Sequence, residues 1–328
     1  MSESRRRIAT LARHEYRAAT RNRVLIVLVG IVVTVTAVSV YIASVSYRSQ
    51  LADYQAYLAA AQANGVDRIA PSPLAPLSLL RGAFEYLEII GAVIAITLGY
   101  LTVSRERANR TLPLIRSRPV TSGELATGSV LGALGIIATL VAITAGVGVV
   151  CVGLIGNTWI NAGQALQLLL AYVSAIVYMG AFYCLGAIAT AKSRVAANGL
   201  MIALGIWLIV VLVLPQIGDT MDADNQIPGG LFKALGLGHD GEVSILTHFT
   251  TYERIRTWTE EASLAKHFER FSFAMADVKE RYRPFGLPWL LGQTRNDIGW
   301  MIAYSTALFA GLRCTFRTQP TIPRGGTP

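Results

Sequence analysis

Charged residues are scarce in this chain. Asp, Glu, Lys and Arg make up 15% of its 328 residues and hydrophobic residues 53%, whereas soluble domains carry about 25% charged residues. This composition excludes a pair of soluble domains, which the length alone would allow. The net charge of +9 does not indicate a nucleic-acid partner, because the basic residues gather between apolar runs, as membrane orientation requires. We therefore predict a polytopic all-α membrane protein.

Motifs of catalysis and cofactor binding are also missing. The sequence has no G-x-x-x-x-G-K-[ST], G-x-S-x-G or H-E-x-x-H, and so no phosphate-binding loop, nucleophile elbow or zinc-protease motif. Its cysteines have no metal or redox spacing: Cys151, Cys184 and Cys314. Three histidines match no ligand pattern either: His239, His248 and His267. We expect no enzyme activity, metal or cofactor in this chain.

Six apolar runs are predicted to span the membrane: 24–45, 83–103, 126–153, 164–189, 195–214 and 298–312. The last run is short for a crossing. No charged residue occurs between Glu124 and Lys192, so the third and fourth spans form a helical hairpin. Ion-coupled carriers keep acidic residues or broken helices near the membrane midplane. Neither is evident here, so any transport energy comes from elsewhere.

The basic residues set the orientation of these spans. They concentrate at the N-terminus, around 104–125, at 192–194 and in the C-terminal tail, and such segments stay in the cytoplasm. An even number of spans then places both termini on the cytoplasmic side of the cell membrane. The predicted organisation is a cytoplasmic segment (1–23), five spans (24–215), an extracytoplasmic helical domain (216–297), and the last span with a cytoplasmic tail (298–328).

The arginine-rich residues 1–23 predict an amphipathic helix on the inner leaflet. Several apolar residues fall near one face of this helix: Ile8, Leu11, Ala12, Tyr16 and Ala19. The alternative is a positively charged anchor that only fixes the orientation of the first span.

The segment Ser104–Leu125 has the features of a docking element. Its arginines exclude it from hydrocarbon, and Thr111–Ile115 predicts a brief helical turn that ends before Pro119. Thr121 and Glu124 have the spacing of a capping box, so a new helix is predicted to begin near Ser122. We interpret the segment as a rigid surface for a soluble partner. The alternative is a loop that only closes a hairpin.

Two groups in the second span suggest further roles. Arg81, Glu85 and Glu88 lie near its outer end and could form an outer gate. We favour the alternative that they form a locally paired interfacial cluster. Deeper in, Gly91, Ala95 and Gly99 have the small-xxx-small spacing that permits close helix contact, as do Gly128 and Gly132 in the third span.

The outside stretch 216–297 is predicted to be partly helical. Over 257–279 an apolar stripe runs along one helical face: Trp258, Ala262, Ala265, Phe268, Ser272 and Met275. We interpret the stripe as the core of a small helical cap that folds against itself or a partner.

The basic segment also resembles the signature of ABC-2 type permeases. The matching residues are Arg105-Glu106-Arg107, Thr111-Leu112-Pro113-Leu114-Ile115 and Ser117-Arg118-Pro119-Val120-Thr121-Ser122-Gly123-Glu124-Leu125. The residues Leu11–Arg17 resemble the family's elbow helix, and six spans with a long outside loop before the last also agree. The sequence departs from the family at Arg110, where a glycine usually precedes the Thr-Leu pair.

The resemblance implies the membrane subunit of an ABC transporter, with an elbow helix and a cytoplasmic coupling helix. It would pair in the bilayer with a second copy or a paralogue, and with separate ABC ATPase subunits that bind ATP and Mg²⁺. The residues implied in ATPase coupling are Arg105, Glu106, Arg107, Thr111, Leu112, Leu114, Ile115, Arg118, Pro119 and Glu124.

Export or extrusion of a substrate is the expected activity. One alternative is a subunit that transports nothing and relays ATPase motion to an extracytoplasmic protein. Another is a membrane scaffold without an ATPase.

Overall fold

The structure is a computed structural model, and it describes residues 3–64, 75–108, 121–222, 231–236, 241, 244–245, 249–278, 282–283 and 285–318. The regular elements in these ranges are all helical. They are α1 (Glu3–Thr20), α2 (Arg23–Ala63), α3 (Pro76–Arg107), α4 (Ser122–Leu154), α5 (Ala162–Lys192), α6 (Ala196–Met221), α7 (Leu231–Ala234), α8 (Thr250–Glu261), α9 (Leu264–Met275), α10 (Leu287–Gln293) and α11 (Arg295–Thr318).

Five helices, α2 to α6, are long and apolar enough to cross a membrane, as expected for a multi-pass membrane protein. Each contains one of the first five apolar runs. The sixth run lies in α11, which has 24 residues and packs on α5 and α4. α5 is the central helix, since 67% of its most apolar window is buried, against 22% for α2 and 17% for α6. α2 and α6 therefore keep broad apolar faces exposed.

Two helices continue beyond the spans that the sequence predicts for them. α2 does not end near Val45 but continues to Ala63, because nothing between these residues breaks a helix. α6 runs through Pro215 to Met221, although a proline usually ends or kinks a helix. A π-helical turn over Leu208–Val213 ends two positions before this proline. Such a turn locally replaces the α-helical hydrogen-bond pattern that a proline would disrupt.

Ser263 satisfies a backbone group that Pro215 leaves without a donor. Because proline has no N–H, a carbonyl about one turn earlier loses its helical partner. The hydroxyl of Ser263 donates to the carbonyl oxygen of Val210 at 2.6 Å. The hydroxyl oxygen of Ser263 also accepts from the backbone N–H of Lys266 at 3.2 Å and so caps α9. One buried side chain therefore fixes the start of α9 on α6.

Replacing Ser263 with alanine should lower the free energy of unfolding by about 1–3 kcal/mol, because a cap and a buried carbonyl lose their partner together. The measurement is thermal unfolding of the purified protein in detergent. Thr257→Ala is the matched control, since the hydroxyl of Thr257 bonds only to its own exposed helix at the carbonyl of Glu253. Equal melting temperatures for the two variants would contradict this role of Ser263.

Candidate functional site

The last turn of α3 is joined to α1 by a buried carboxylate. A guanidinium nitrogen of Arg105 donates to Glu15 Oε2 at 2.6 Å, and the hydroxyl of Thr102 donates to the same oxygen at 3.3 Å. Glu15 is only 8% exposed. Buried charges are stable only when paired and hydrogen-bonded, so α1 and the end of α3 are strongly linked.

Arg107 joins the same end of α3 to α5. Its two terminal nitrogens donate to the backbone oxygens of Ala191, at 2.6 Å, and of Ser193, at 2.8 Å. The last carbonyls of a helix have no partner within the helix, and a nearby cation also interacts favourably with the helix dipole. Arg107 therefore caps α5. We call Glu15, Thr102, Arg105 and Arg107 the junction.

The remaining predicted coupling residues have different positions. Glu106 is buried at the end of α3. Glu124 forms the predicted capping box: its N–H donates to the Thr121 hydroxyl at 3.2 Å, and its carboxylate accepts from the Thr121 N–H at 2.8 Å. This confirms the predicted start of α4. Six other predicted coupling residues lie outside the described residues: Thr111, Leu112, Leu114, Ile115, Arg118 and Pro119.

The predicted amphipathic helix is present as α1, and its apolar face packs on α4. A Cβ atom at Gly128 would lie 2.6 Å from Cβ of Leu11, and one at Gly132 would lie 2.7 Å from the carbonyl oxygen of Ala12. The Gly128–Gly132 motif therefore permits close contact with α1. Sequence reasoning missed Glu15, although a lone carboxylate beside this apolar face is the signal that could have revealed it.

At the other end of α3, Arg81 and Glu85 form an ion pair at 2.7 Å with largely exposed side chains. Glu88 is buried instead, within electrostatic range of Lys266 and Glu269 on α9. Arg81 and Glu85 thus form a local pair, as expected from the alternative of a locally paired interfacial cluster. Glu88 lies beside α9 instead, so a buried ionisable side chain is present where the sequence indicated almost none.

α9 is buried among α3, α5, α6 and α11. Phe268 stacks on Tyr178 of α5 with ring centroids 4.6 Å apart, and the hydroxyl of Tyr178 donates to the backbone oxygen of Glu88 at 2.8 Å. The predicted stripe is confirmed in α9, where Ala265, Phe268, Ser272 and Met275 are buried. The buried stripe does not extend back beyond Ser263, since Trp258 on α8 is 68% exposed.

Ion pairs hold α9 to its neighbours. Lys266 bonds to Asp219 at the end of α6 at 2.7 Å and to Glu269 at 2.8 Å. Burial alone would lower the pKa of Lys266, but these two carboxylates outweigh burial and the pKa lies above its usual value. His267 Nδ1 lies 2.8 Å from Asp297, near the start of α11. α9 is therefore fastened both to α6, which lies earlier in the chain, and to α11, which lies later.

In the described part of the chain, no group of three or more His, Cys, Asp or Glu side chains could hold a metal ion. His239 and His248 lie outside that part. His267 places its two ring nitrogens against Asp297 and, at 3.1 Å, the carbonyl oxygen of Glu261.

The chain matches no curated protein. A family model described as an ABC-2 family transporter protein matches residues 9–313. The match extends from α1 to the last turns of α11, and it agrees with the several long apolar helices. Members of this family are membrane components of transporters. On this match the chain belongs to the ABC-2 transporter family, as a transmembrane permease.

Proposed function

We propose that this permease couples ATP hydrolysis by a separate ABC ATPase to export or extrusion of a substrate. The junction is the observation that carries the proposal. Residues 109–120, the part of the candidate docking segment 104–125 that lies outside the described residues, follow directly after a helix end that is fixed to α1 by Glu15 and Arg105 and to α5 by Arg107. A force applied to that segment would therefore reach three helices at once.

The proposed topology places this junction in the cytoplasm with both termini. α11 serves as the sixth span in this arrangement, and ATP and Mg²⁺ are bound by the partner. α2 and α6 leave apolar faces exposed, and such faces suit lipid or a second permease, either a copy of this chain or a paralogue.

The topology is tested by two cysteine variants in a background with the three native cysteines replaced, and the docking role is tested by a deletion. A cysteine at Thr111 should resist a membrane-impermeant thiol reagent in intact cells, whereas one at exposed Thr251 of α8 should react. Deleting Leu112–Ile115 should abolish co-purification of the ATPase, because the deletion removes most of the residues predicted to form the docking turn. External labelling at Thr111, or full ATPase attachment in the deletion variant, would overturn the proposal.

A second candidate function is a relay to an extracytoplasmic protein without transport. The packing of α9 favours it, because Lys266 and His267 fasten the cap to α6 and α11 and would let the cap move with them. ATPase turnover that responds only to a protein partner supports the relay. Turnover that responds to a solute or lipid supports transport.

A further inference from the structure

One face of α1 is lined with arginines. Arg6, Arg13 and Arg17 recur at nearly helical spacing, so they share a face. Arg21 follows directly after the last residue of α1, and all four arginines are exposed. They line an open groove of about 640 Å³ together with Thr10 and His14. No acidic residue lines the groove, and within the described residues no carboxylate forms an ion pair with these four arginines.

The opposite face of α1 is already occupied. Leu11 and Ala12 pack on Gly128 and Gly132 of α4, and Tyr16 packs on Gly135. The apolar residues are thus used within the chain, and any surface attachment of α1 must involve its arginine face.

Contacts with other helices fix the position of the arginine face of α1 along the axis of the bundle. Glu15 pairs with Arg105 at the end of α3, and Arg107 binds the last carbonyls of α5. α2 begins at Arg23, and its first turns expose apolar side chains: Val24 is 57%, Ile26 is 54% and Val27 is 60% exposed. The arginines therefore lie where the apolar surface ends, which is the level of phospholipid headgroups.

We propose that this face binds the headgroups of anionic phospholipids. Four cations that form no ion pair with the described carboxylates attract a phosphate with net negative charge, and arginine can bind phosphate oxygens with two hydrogen bonds. Clusters of basic residues on an amphipathic helix favour anionic lipid surfaces. The proximity of the exposed apolar residues of α2 favours lipid over a soluble protein. The inference rests on the proposed topology, which places α1 at the cytoplasmic leaflet.

The test uses the purified full-length permease alone, delipidated in detergent, titrated with phosphatidylglycerol or with phosphatidylcholine of the same acyl chains. Native mass spectrometry counts the bound lipids. The wild type should prefer phosphatidylglycerol, and R6Q/R13Q/R17Q should reduce that preference about tenfold or more. The control R48Q/R254Q/R295Q removes the same charge from exposed arginines elsewhere and should keep the preference. R6K/R13K/R17K should keep most of it, because the charge remains.

Salt supplies a further check, since the preference should fall between 0.1 and 1 M salt as the screening length shortens from about 10 Å to about 3 Å. No preference in the wild type, or equal losses in the two glutamine variants, would overturn the lipid proposal. If R6Q/R13Q/R17Q keeps the lipid preference but no longer retains the ATPase in a separate co-purification, the face binds protein and the lipid proposal is also overturned. The permease is assayed alone, so none of these lipid results depends on ATPase coupling.

Discussion

Replacing Gly99 with valine is expected to remove most of the yield of folded protein. A Cβ atom at Gly99 would overlap the backbone oxygen of Tyr183 and lie 2.7 Å from the backbone nitrogen of Ala187. Backbone atoms cannot rotate away as a side chain can, so α3 and α5 would have to separate. Overpacking usually costs about 1–3 kcal/mol. We expect at least the upper value, because five helices pack on α5.

Alanine at the same position separates close packing from helix propensity. Alanine favours a helix over glycine by about 1 kcal/mol, so a propensity effect would stabilise Gly99→Ala. Its Cβ atom already overlaps the backbone of α5, so we expect destabilisation instead. Gly186→Val should resemble Gly99→Val, because a Cβ atom there would overlap the backbone oxygen of Ile96.

The measurement is the fraction of monodisperse protein after size-exclusion chromatography, together with its apparent melting temperature. Gly146→Val and Gly205→Val are the controls, since a Cβ atom at either position meets no atom within 4 Å. They should change the free energy of unfolding by less than about 0.5 kcal/mol. Similar losses at all four glycines would contradict the close contact of α3 with α5.

The features that the sequence predicted correctly are mostly local. The Thr121–Glu124 capping box was predictable because donor and acceptor lie three residues apart and geometry alone brings them together. The long helices were predictable from uninterrupted apolar runs. The close contact at Gly99 was predictable as a tendency, since small side chains on one face allow backbones to approach, but the spacing did not identify α5 as the partner.

Features that depend on tertiary contacts were not predictable. The Gly128–Gly132 motif could not reveal that its partner is α1, because a motif describes only its own helix face. The predicted fifth span stops just before Pro215, yet α6 continues through this proline, because the π turn before it and Ser263, far along the chain, accommodate it. The sequence spacing groups Glu88 with Arg81 and Glu85. Its burial beside α9 depends on the packing of α9 against α3, which the spacing does not reveal.

Reversing the charge of Glu15 or Arg105 is expected to uncouple the permease from its ATPase. Glu15→Arg would place two cations together at a buried position, and Arg105→Glu would place two carboxylates there. Disrupting a buried pair typically costs about 3–5 kcal/mol. Because the Arg105 side chain is 31% exposed, we expect about 2–3 kcal/mol. The link between α1 and the end of α3 should open before the whole protein unfolds, because α1 is held on the bundle mainly through α4.

The measurement is ATPase turnover of the reconstituted complex with each permease variant, alongside the amount of ATPase retained on the permease. Each single reversal should lower permease-dependent turnover by about tenfold or more, the effect of roughly 1.4 kcal/mol on an equilibrium, while the ATPase remains bound. Arg81 and Glu85 provide the control, since they form an ion pair of similar length at the far end of α3 with largely exposed side chains. Exposed pairs contribute little, so reversing either of them should leave turnover nearly unchanged.

The double variant E15R/R105E separates coupling from simple loss of stability. It places opposite charges at the same two positions with their signs exchanged. Turnover should therefore recover at least partly if the ion pair itself transmits motion. Recovery of melting temperature without recovery of turnover would show that the pair only stabilises the fold. Unchanged turnover in both single variants would contradict the junction as the route of coupling, because a force on residues 109–120 would then reach the spans without α1.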